Sequence, residues 1–377
     1  MLYCIFAFLI SCLISSLLIP EILLVSVKKK LFDSVNERKV CKSKASRLGG
    51  FAFFPCVAMT FCMITAMYLL LNDGIQVDRA NACSFLFMTT ACLVIFSVGL
   101  MDDLVNLSYR VKFVAQFMVA VLIVISGAFI HNLYGVLGIT EIPVYIGASL
   151  SVLMIVFIIN AFNLIDGING LASGLSIVAF VLYGVLFLLR GDVLFAILSF
   201  SATGTVLVFF VFNVFGIRKK ETKIFMGDTG SLFIGTLVSF LFLQQLRAEP
   251  AIVAGMNVHL VLLLSFSALI IPCFDVFRVM LHRVRNGHSP FLADSNHIHH
   301  KLLRLGLNQR QTLYMLLCMA AGFLAINVLL YLLMPIWVIL LIDIAVYTLM
   351  NVWLTRQLEH VETVSRREWC RNGNVVK

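Results

Sequence analysis

The chain contains about eleven apolar stretches, each long enough to cross a lipid bilayer, and this pattern is compatible with few architectures. A membrane-spanning helix needs about 20 mostly apolar residues, because its backbone polar groups must pair within the segment. Only 12% of the 377 residues are charged, whereas a soluble domain carries about 25%. We therefore expect an all-α polytopic membrane protein with about eleven transmembrane helices. The stretches are 1–26, 48–71, 82–101, 111–130, 143–162, 171–189, 193–212, 229–246, 252–281, 312–333 and 336–354.

Basic residues mark one side of the membrane. If the stretches cross in turn, 25 of the 28 Lys and Arg residues fall on one face, and only Arg79, Arg190 and Arg247 fall on the other. Basic loops face the cytoplasm, so we expect the N-terminus outside and the C-terminus inside. The net charge of +9 then reflects topology and attraction to anionic lipid headgroups, and it does not suggest nucleic acid as a partner. We expect a membrane domain at 1–354 and a basic cytoplasmic tail at 355–377.

Four polar segments interrupt the apolar pattern, and all four lie on the predicted cytoplasmic face. The first polar segment, 99–112, places Asp102 and Asp103 directly after an apolar run and ends with Arg110 and Lys112. Two adjacent carboxylates repel each other and favour a cation or a proton between them. Ionisable groups close to a membrane core are usually functional, so this segment is a candidate site rather than a plain loop.

The second polar segment, 160–172, repeats an oxygen-bearing side chain every three residues, at Asn160, Asn163, Asp166 and Asn169. On a helix this spacing places them along one face. Hydrogen bonding between helices is the alternative explanation, because unpaired amides are costly in hydrocarbon. Four such side chains in register favour a binding site over that alternative.

The third polar segment, 225–235, has Asp228 at a predicted helix start among small residues. This pattern is typical of a helix cap, and a helix N-terminus beside a carboxylate also suits a phosphate with its metal ion. The fourth polar segment, 283–301, combines histidines that lack the usual helical spacing of a zinc site with cations that suit an anion. Its candidate residues are Arg283, Arg285, His297, His299, His300 and Lys301.

Together the four segments supply the parts of a magnesium-dependent phosphoryl-transfer site. Hard oxygen ligands suit Mg²⁺, which takes one or two protein carboxylates or carbonyls plus substrate phosphates. Basic side chains neutralise the phosphoryl oxygens. A transporter or lipid flippase is the rival interpretation, because intramembrane Asp and Asn can form an ion pathway. We expect an enzyme, since the polar groups cluster at one end of the spans and the two halves show no internal repeat.

Five sequence motifs point to a known family: Arg47-Leu-Gly-Gly50, the Asp-Asp pair, NAFNLIDGINGLA, MGDTGS and SPFLADSNHIHHKLLRLGL. In this order and spacing they resemble the polyprenyl-phosphate N-acetylhexosamine-1-phosphate transferase family, also called glycosyltransferase family four, as far as about Gln311. The resemblance implies transfer of N-acetylglucosamine-1-phosphate, or a related 2-acetamido sugar-1-phosphate, from a UDP-sugar to undecaprenyl phosphate, with UMP leaving. It also implies a multi-pass protein of the bacterial inner membrane that initiates a lipid-linked cell-envelope glycan.

The resemblance implies a role for each residue that matches a family motif. Asn163 and Asp228 would hold Mg²⁺, for which Mn²⁺ can substitute. The residues expected to act in catalysis are Asp102, Asp103, Lys112, Asp166, His297, His299 and His300. The residues expected to bind substrate are Asn160, Asn169, Arg283 and Arg285.

The resemblance leaves alternatives open. A phospho-N-acetylmuramoyl-pentapeptide transferase of the same family is one, although His-Ile-His-His at 297–300 and Asn169 favour the GlcNAc type. The lipid phosphate could attack directly, or an Asp could first form a phospho-enzyme. Loop 27–47 and Ser295 depart from the family pattern, so the role of that loop is open. The expected partners are a UDP-sugar, undecaprenyl phosphate and membrane lipids, with a homodimer as a further possibility.

Overall fold

The computed structural model describes residues 1–29, 45–72, 77–136, 138–216, 223–247, 257–287 and 296–373, and these residues are mostly helical. Two small sheets accompany the helices: β1 (Ala45–Ser46) pairs in parallel with β4 (Lys223–Ile224), and β2 (Asn132–Val136) pairs antiparallel with β3 (Ile139–Glu141). The helices are α1 (Leu2–Lys28), α2 (Phe53–Leu71), α3 (Arg79–Val105), α4 (Tyr109–Ile125), α5 (Val144–Ile165), α6 (Leu171–Leu189), α7 (Val193–Phe215), α8 (Gly227–Leu246), α9 (Val258–Ser267), α10 (Ile270–Arg285), α11 (Ile298–Arg304), α12 (Gln309–Tyr331) and α13 (Ile336–Gly373).

Nine helices in the described part of the chain are long and apolar enough to cross a membrane, and α9 with α10, bent by 60°, can form a tenth span. The helix α4 is apolar as predicted but has 17 residues, which makes it short for a bilayer core about 30 Å thick. Each of the eleven predicted stretches contains a helix, so the prediction of an all-α polytopic membrane protein is confirmed. The count of eleven spans and the orientation stay predictions, which reporters fused to the loops would decide.

The helix α8 lies at the centre of the bundle. In its apolar 18-residue segment, 94% of the residues are buried, against 22–67% for the other long helices that can cross the membrane. It packs against α3, α5 and α6. A helix that is apolar on all sides is stable only where other helices surround it. Because α8 begins with Gly227 and Asp228, this central position brings the third polar segment into the middle of one end of the bundle.

The Arg47-Leu-Gly-Gly50 motif is a structural element that holds the start of α8. The backbone N–H groups of Gly49 and Gly50 donate to the carbonyl oxygens of Phe225 and Met226 at 3.0 and 2.9 Å, which extends the β1–β4 pairing. Glycine is required there, because a Cβ on Gly50 would lie 2.2 Å from the backbone nitrogen of Gly230. Loop 27–47, which precedes the motif, lies largely outside the described residues.

The predicted boundary between a membrane domain and a cytoplasmic tail falls inside one continuous helix. The helix α13 runs from Ile336 to Gly373 and passes residue 354 without a break. Beyond that residue, Thr355 accepts a hydrogen bond from Lys301 Nζ at 2.8 Å, and Glu362 forms an ion pair with Arg304. The predicted tail therefore packs, at its start, against the α11 helix of the fourth polar segment.

Gly50→Ala should lower the stability of the protein, because the added methyl group would meet the α8 backbone. We expect a loss of about 1–3 kcal/mol in the free energy of unfolding, as overpacking usually costs. Thermal unfolding in detergent measures the loss. Gly322→Ala in α12 is the control, because a Cβ there meets no neighbouring atom within 4 Å among the described residues. Equal melting temperatures for the two variants would contradict the assigned role of Gly50.

Candidate active site

Lys112 joins two aspartates from different helices. Its Nζ atom lies 3.0 Å from Asp102 Oδ2 and 2.7 Å from Asp228 Oδ2. The side chains of Lys112 and Asp228 remain about a quarter exposed, at 26% and 27%. The chain can make this contact because Asn106, the residue after α3, adopts the left-handed conformation. This conformation turns the chain back toward the bundle, where α4 begins. The ammonium group of Lys112 therefore lies between Asp102 and Asp228, and not between the adjacent Asp102 and Asp103.

Asp103 caps α8 from the neighbouring helix. Its carboxylate accepts hydrogen bonds from the backbone N–H groups of Asp228 and Thr229, both at 2.9 Å, and from Thr229 Oγ1 at 2.5 Å. The first N–H groups of a helix lack partners within the helix and carry partial positive charge, so a carboxylate stabilises them. Asp102, by contrast, accepts from the Leu107 backbone at 2.7 Å and contacts Lys112. The two adjacent aspartates thus have different environments.

Asn163 and Asn160 also differ, although both lie on α5. Asn163 Nδ2 donates to Asp228 Oδ1 and to Ser231 Oγ, each at 2.9 Å, so it belongs to the aspartate cluster. Asn160 Nδ2 donates to Gln116 Oε1 on α4 and to the Val156 carbonyl, both at 2.7 Å. In the structure Asn160 therefore links two helices, and its expected role in substrate binding stays a prediction.

Asp166 follows the end of α5 and faces the same group of carboxylates. Burial, together with the negative charges of Asp228 and Asp103, raises its pKa to about 7. Asn169 lies three residues later, partly exposed in the turn before α6. The four aspartates of the cluster outnumber the single lysine that pairs with two of them. An added cation would lower the repulsion among them.

The donor set suits a hard divalent cation that is completed by substrate. No group of three His, Cys, Asp or Glu side chains in the described part of the chain forms a ready-made metal site. Mg²⁺ commonly binds through one or two protein carboxylates and takes its other ligands from water and phosphate. The carboxylate oxygens of Asp228 and the side-chain carbonyl of Asn163 fit that pattern. Their roles as metal ligands stay predictions.

The histidines of the fourth polar segment contact the second polar segment. The ring of His299, 1% exposed, lies against Gly167, where a Cβ would come within 2.1 Å of His299 Nε2. Burial, together with the neighbouring His300, lowers the pKa of His299 to about 3, so the ring is neutral at pH 7. The rings of His297 and His299 stack with their centroids 5.7 Å apart. The structure thus brings this segment, far along the chain, against the turn at Gly167.

The two arginines expected to bind substrate have different exposures. Arg283 is 5% exposed near the end of α10, whereas Arg285, the last residue of that helix, is exposed. The structure brings neither of them to the aspartate cluster through a described contact, and their role stays a prediction.

Several side chains of the site were not predicted from the sequence. Thr229 and Ser231 lie in the MGDTGS motif, yet their partners Asp103 and Asn163 could not be deduced from spacing. Asp275 lies within a stretch read as a plain membrane span, although it is fully buried and contacts His297. An ionisable residue within an apolar stretch is itself a signal of function, and it was the signal available for Asp275.

Comparisons with known proteins point to one family. Residues 85–245 match the family described as Glycosyl transferase family 4, and this range contains the first three polar segments. The chain is 32% identical over 308 residues to the probable undecaprenyl-phosphate N-acetylglucosaminyl 1-phosphate transferase of Bacillus subtilis (strain 168). The aligned region covers 81% of this chain and 79% of the relative.

Two further relatives share one name, undecaprenyl-phosphate alpha-N-acetylglucosaminyl 1-phosphate transferase. The protein of Yersinia pestis is 30% identical over 303 residues, covering 80% of this chain and 77% of the relative. The protein of Escherichia coli (strain K12) is 29% identical over 303 residues, covering 80% of this chain and 76% of the relative.

Lys112→Met should destabilise the aspartate cluster, because Asp102 and Asp228 would then face each other without their shared cation. Hydrogen bonds to charged groups contribute about 1.5–3 kcal/mol, and partial exposure places the expected loss at the lower end, about 1–2 kcal/mol. Millimolar Mg²⁺ should restore part of the melting temperature, since a divalent cation can replace the ammonium group. Thermal unfolding in detergent, with and without Mg²⁺, measures both effects.

Arg110→Met is the control for this substitution. Arg110 lies two residues earlier in the first turn of α4 and is exposed, so its loss should change the melting temperature little. If the Lys112 and Arg110 variants unfold at the same temperature and respond equally to Mg²⁺, the cluster does not depend on the lysine.

Proposed function

The chain belongs to glycosyl transferase family 4, and from that premise we propose that it transfers N-acetylglucosamine-1-phosphate from UDP-N-acetylglucosamine to undecaprenyl phosphate. The observation that carries this proposal is the convergence of Asp102, Lys112, Asn163 and Asp228 at one end of a membrane bundle. Relatives that match about four-fifths of the chain carry the name of this activity.

The reaction exchanges one phosphoanhydride bond for another. An oxygen of undecaprenyl phosphate attacks the β-phosphorus of the UDP-sugar, and the bond from that phosphorus to the bridging oxygen breaks. UMP leaves, and undecaprenyl-diphospho-N-acetylglucosamine remains. A phosphate monoester has a second pKa of about 6, so the acceptor is largely dianionic at neutral pH and needs positioning more than a strong base.

Lys112 is the residue best placed to stabilise the charge that develops on the phosphoryl oxygens. Its ammonium group is held by Asp102 and Asp228 and remains partly exposed, so it can reach a bound phosphate. A preorganised cation lowers the barrier because it need not reorganise as charge develops. Asp103 contributes by holding the start of α8, and therefore Asp228, in place.

Mg²⁺, when bound, would neutralise phosphate charge and act as a Lewis acid, and Asp228 and Asn163 are the residues that would hold it. The negative charge of Asp228 contributes to the raised pKa of Asp166. A bound cation would offset this repulsion and stabilise the ionised carboxylate. The neutral His299 lies against Gly167, beside Asp166, and can donate or accept a hydrogen bond there without adding charge.

We infer that the attack is direct rather than through a phospho-enzyme formed on Asp102 or Asp103. A covalent route requires an aspartate with an available oxygen as nucleophile. Asp103 accepts three hydrogen bonds from the start of α8, and Asp102 is engaged by Leu107 and Lys112. Carboxylates tied in this way are weak nucleophiles, because attack would first have to break those bonds.

The cytoplasmic face of the bacterial inner membrane is where this reaction would occur, since a soluble UDP-sugar can there meet a membrane-bound phosphate. The basic loops favour that orientation. Membrane transport is the weaker candidate, because transporter sites lie near the bilayer midplane. Here the cluster forms at the ends of α3 and α5 and the starts of α4 and α8. A muramoyl-pentapeptide substrate finds no support in the names of the relatives.

Purified protein should release UMP when it is given UDP-N-acetylglucosamine, undecaprenyl phosphate and Mg²⁺, and chelation should abolish the release. Asp228→Asn should reduce the rate by about 10²- to 10³-fold, as the loss of one central electrostatic group does. Asp192→Asn is the control, because Asp192 lies in the turn between α6 and α7 and pairs with Arg190 away from the cluster. Mass spectrometry of the lipid product identifies the sugar.

The absence of UMP release with every UDP-sugar would favour transport instead. Full activity of Asp228→Ala in Mg²⁺ would exclude Asp228 as a metal ligand.

Direct attack can be tested with a donor labelled in its β-phosphate. We expect no labelled protein when acceptor lipid is omitted, because the adjacent aspartates Asp102 and Asp103 are both engaged by hydrogen bonds and an ion pair. Acid-quenched samples separated by gel electrophoresis measure the label. Labelled protein that loses its label on addition of undecaprenyl phosphate would establish the two-step route.

A further inference from the structure

Asp275 is a buried carboxylate outside the aspartate cluster, and it organises the start of the histidine segment. It is 0% exposed on α10. Its Oδ2 atom lies 2.7 Å from His297 Nδ1, and its Oδ1 atom accepts from the Ile298 backbone N–H at 3.0 Å. One carboxylate thus holds both the first histidine of His-Ile-His-His and the first residue of α11.

Two further groups complete the surroundings of Asp275. Arg278, one turn later on α10, donates from Nη2 to Asp275 Oδ1 at 3.0 Å and also to the Asn296 carbonyl. The Tyr347 hydroxyl on α13 lies 3.4 Å from the same Oδ1 atom. Asp275 therefore connects α10, the residues before α11, and α13. A buried carboxylate requires such partners, because an unpaired charge in the interior is costly.

The contact with His297 has a chemical consequence. When Nδ1 of a histidine donates to a carboxylate, the ring is held in one orientation and one tautomer, and Nε2 is the nitrogen left for another partner. A buried aspartate in a serine protease triad orients its histidine in the same way. His297 also stacks on His299, and the ring of His299 lies against Gly167. The orientation of His297 is therefore coupled to the packing of the second polar segment.

We propose that Asp275 is a positioning residue for the transfer reaction, which acts by holding His297 so that Nε2 can contact the phosphate or sugar of the donor. The inference rests on the proposed function. It assigns to α10 a part in catalysis besides crossing the membrane, and it explains why an aspartate is kept inside an apolar stretch. The α13 helix supports the arrangement through Tyr347 and through the pairing of Lys301 with Thr355.

The test compares Asp275→Asn with Asp343→Asn in the UMP-release assay. Asp343 is an equally buried aspartate, 2% exposed on α13, whose carboxylate accepts from Asn327 at 2.9 Å away from the histidines. We expect turnover to fall by about 10- to 100-fold for Asp275→Asn, as for outer partners that orient active groups. The control should retain turnover within about twofold. Equal turnover for the two variants would overturn the inference.

A double-variant cycle separates positioning from a general structural role. His297→Asn keeps an amide N–H near the position of Nδ1 but removes Nε2, so it should lose turnover and keep its melting temperature. Adding Asp275→Asn to it should cost no further turnover, because both changes disable the same histidine. Losses that multiply would show that Asp275 acts independently of His297 and would overturn the inference.

If Asp275→Asn does not fold, the pair His297→Asn and His297→Gln decides. We expect His297→Asn to melt near the wild-type temperature and His297→Gln, which loses the Nδ1 contact, to melt at a lower temperature. Turnover should be reduced in both variants. Wild-type turnover in His297→Asn would overturn the inference alone. Wild-type protein that releases no UMP would overturn the proposed function and this role with it.

Discussion

The start of α8 is the constraint on which the site depends. This helix is buried along most of its length, and its first backbone N–H groups have no partners within the helix itself. Asp103 on α3 accepts two of them, and the glycine motif around Gly50 pairs with the strand that leads into the helix. Both contacts bring neighbouring chains close to α8, and together they determine where the Asp228 carboxylate lies.

The balance of charge around Asp228 follows from that placement. One lysine, Lys112, stands between Asp102 and Asp228, while desolvation and the negative charges of Asp228 and Asp103 raise the pKa of Asp166. A cluster with more carboxylates than cations attracts positive charge and by itself would repel a phosphate. The divalent cation that we propose would reconcile these facts, since it would lower the repulsion among the carboxylates and give the phosphate a binding partner.

The histidine segment completes the site from a distant part of the chain. The ring of His299 fits against Gly167 because glycine has no side chain to occupy that space. The nearby His297 is held by its contact with Asp275. The last helix adds support through Thr355, so a region with the composition of a basic tail also has a structural role at its beginning. Contacts among three helices, α10, α11 and α13, therefore fix the positions of His297 and the residues around it.

The sequence by itself determined the class of the protein, the eleven helical stretches, the polar segments and the family, because hydropathy and motif order are local properties of the chain. Only the tertiary structure distinguished neighbours of the same type. Asp102 and Asp103 are adjacent, yet one contacts Lys112 and the other caps a helix 125 residues away. Asn160 and Asn163 lie on one helix, yet one meets Gln116 and the other meets Asp228. The contact between Asp275 and His297, 22 residues apart, is likewise visible only in the folded protein. The physical reason is that a side chain's function depends on which groups from other helices face it, and a helical pattern specifies the face but not the partner.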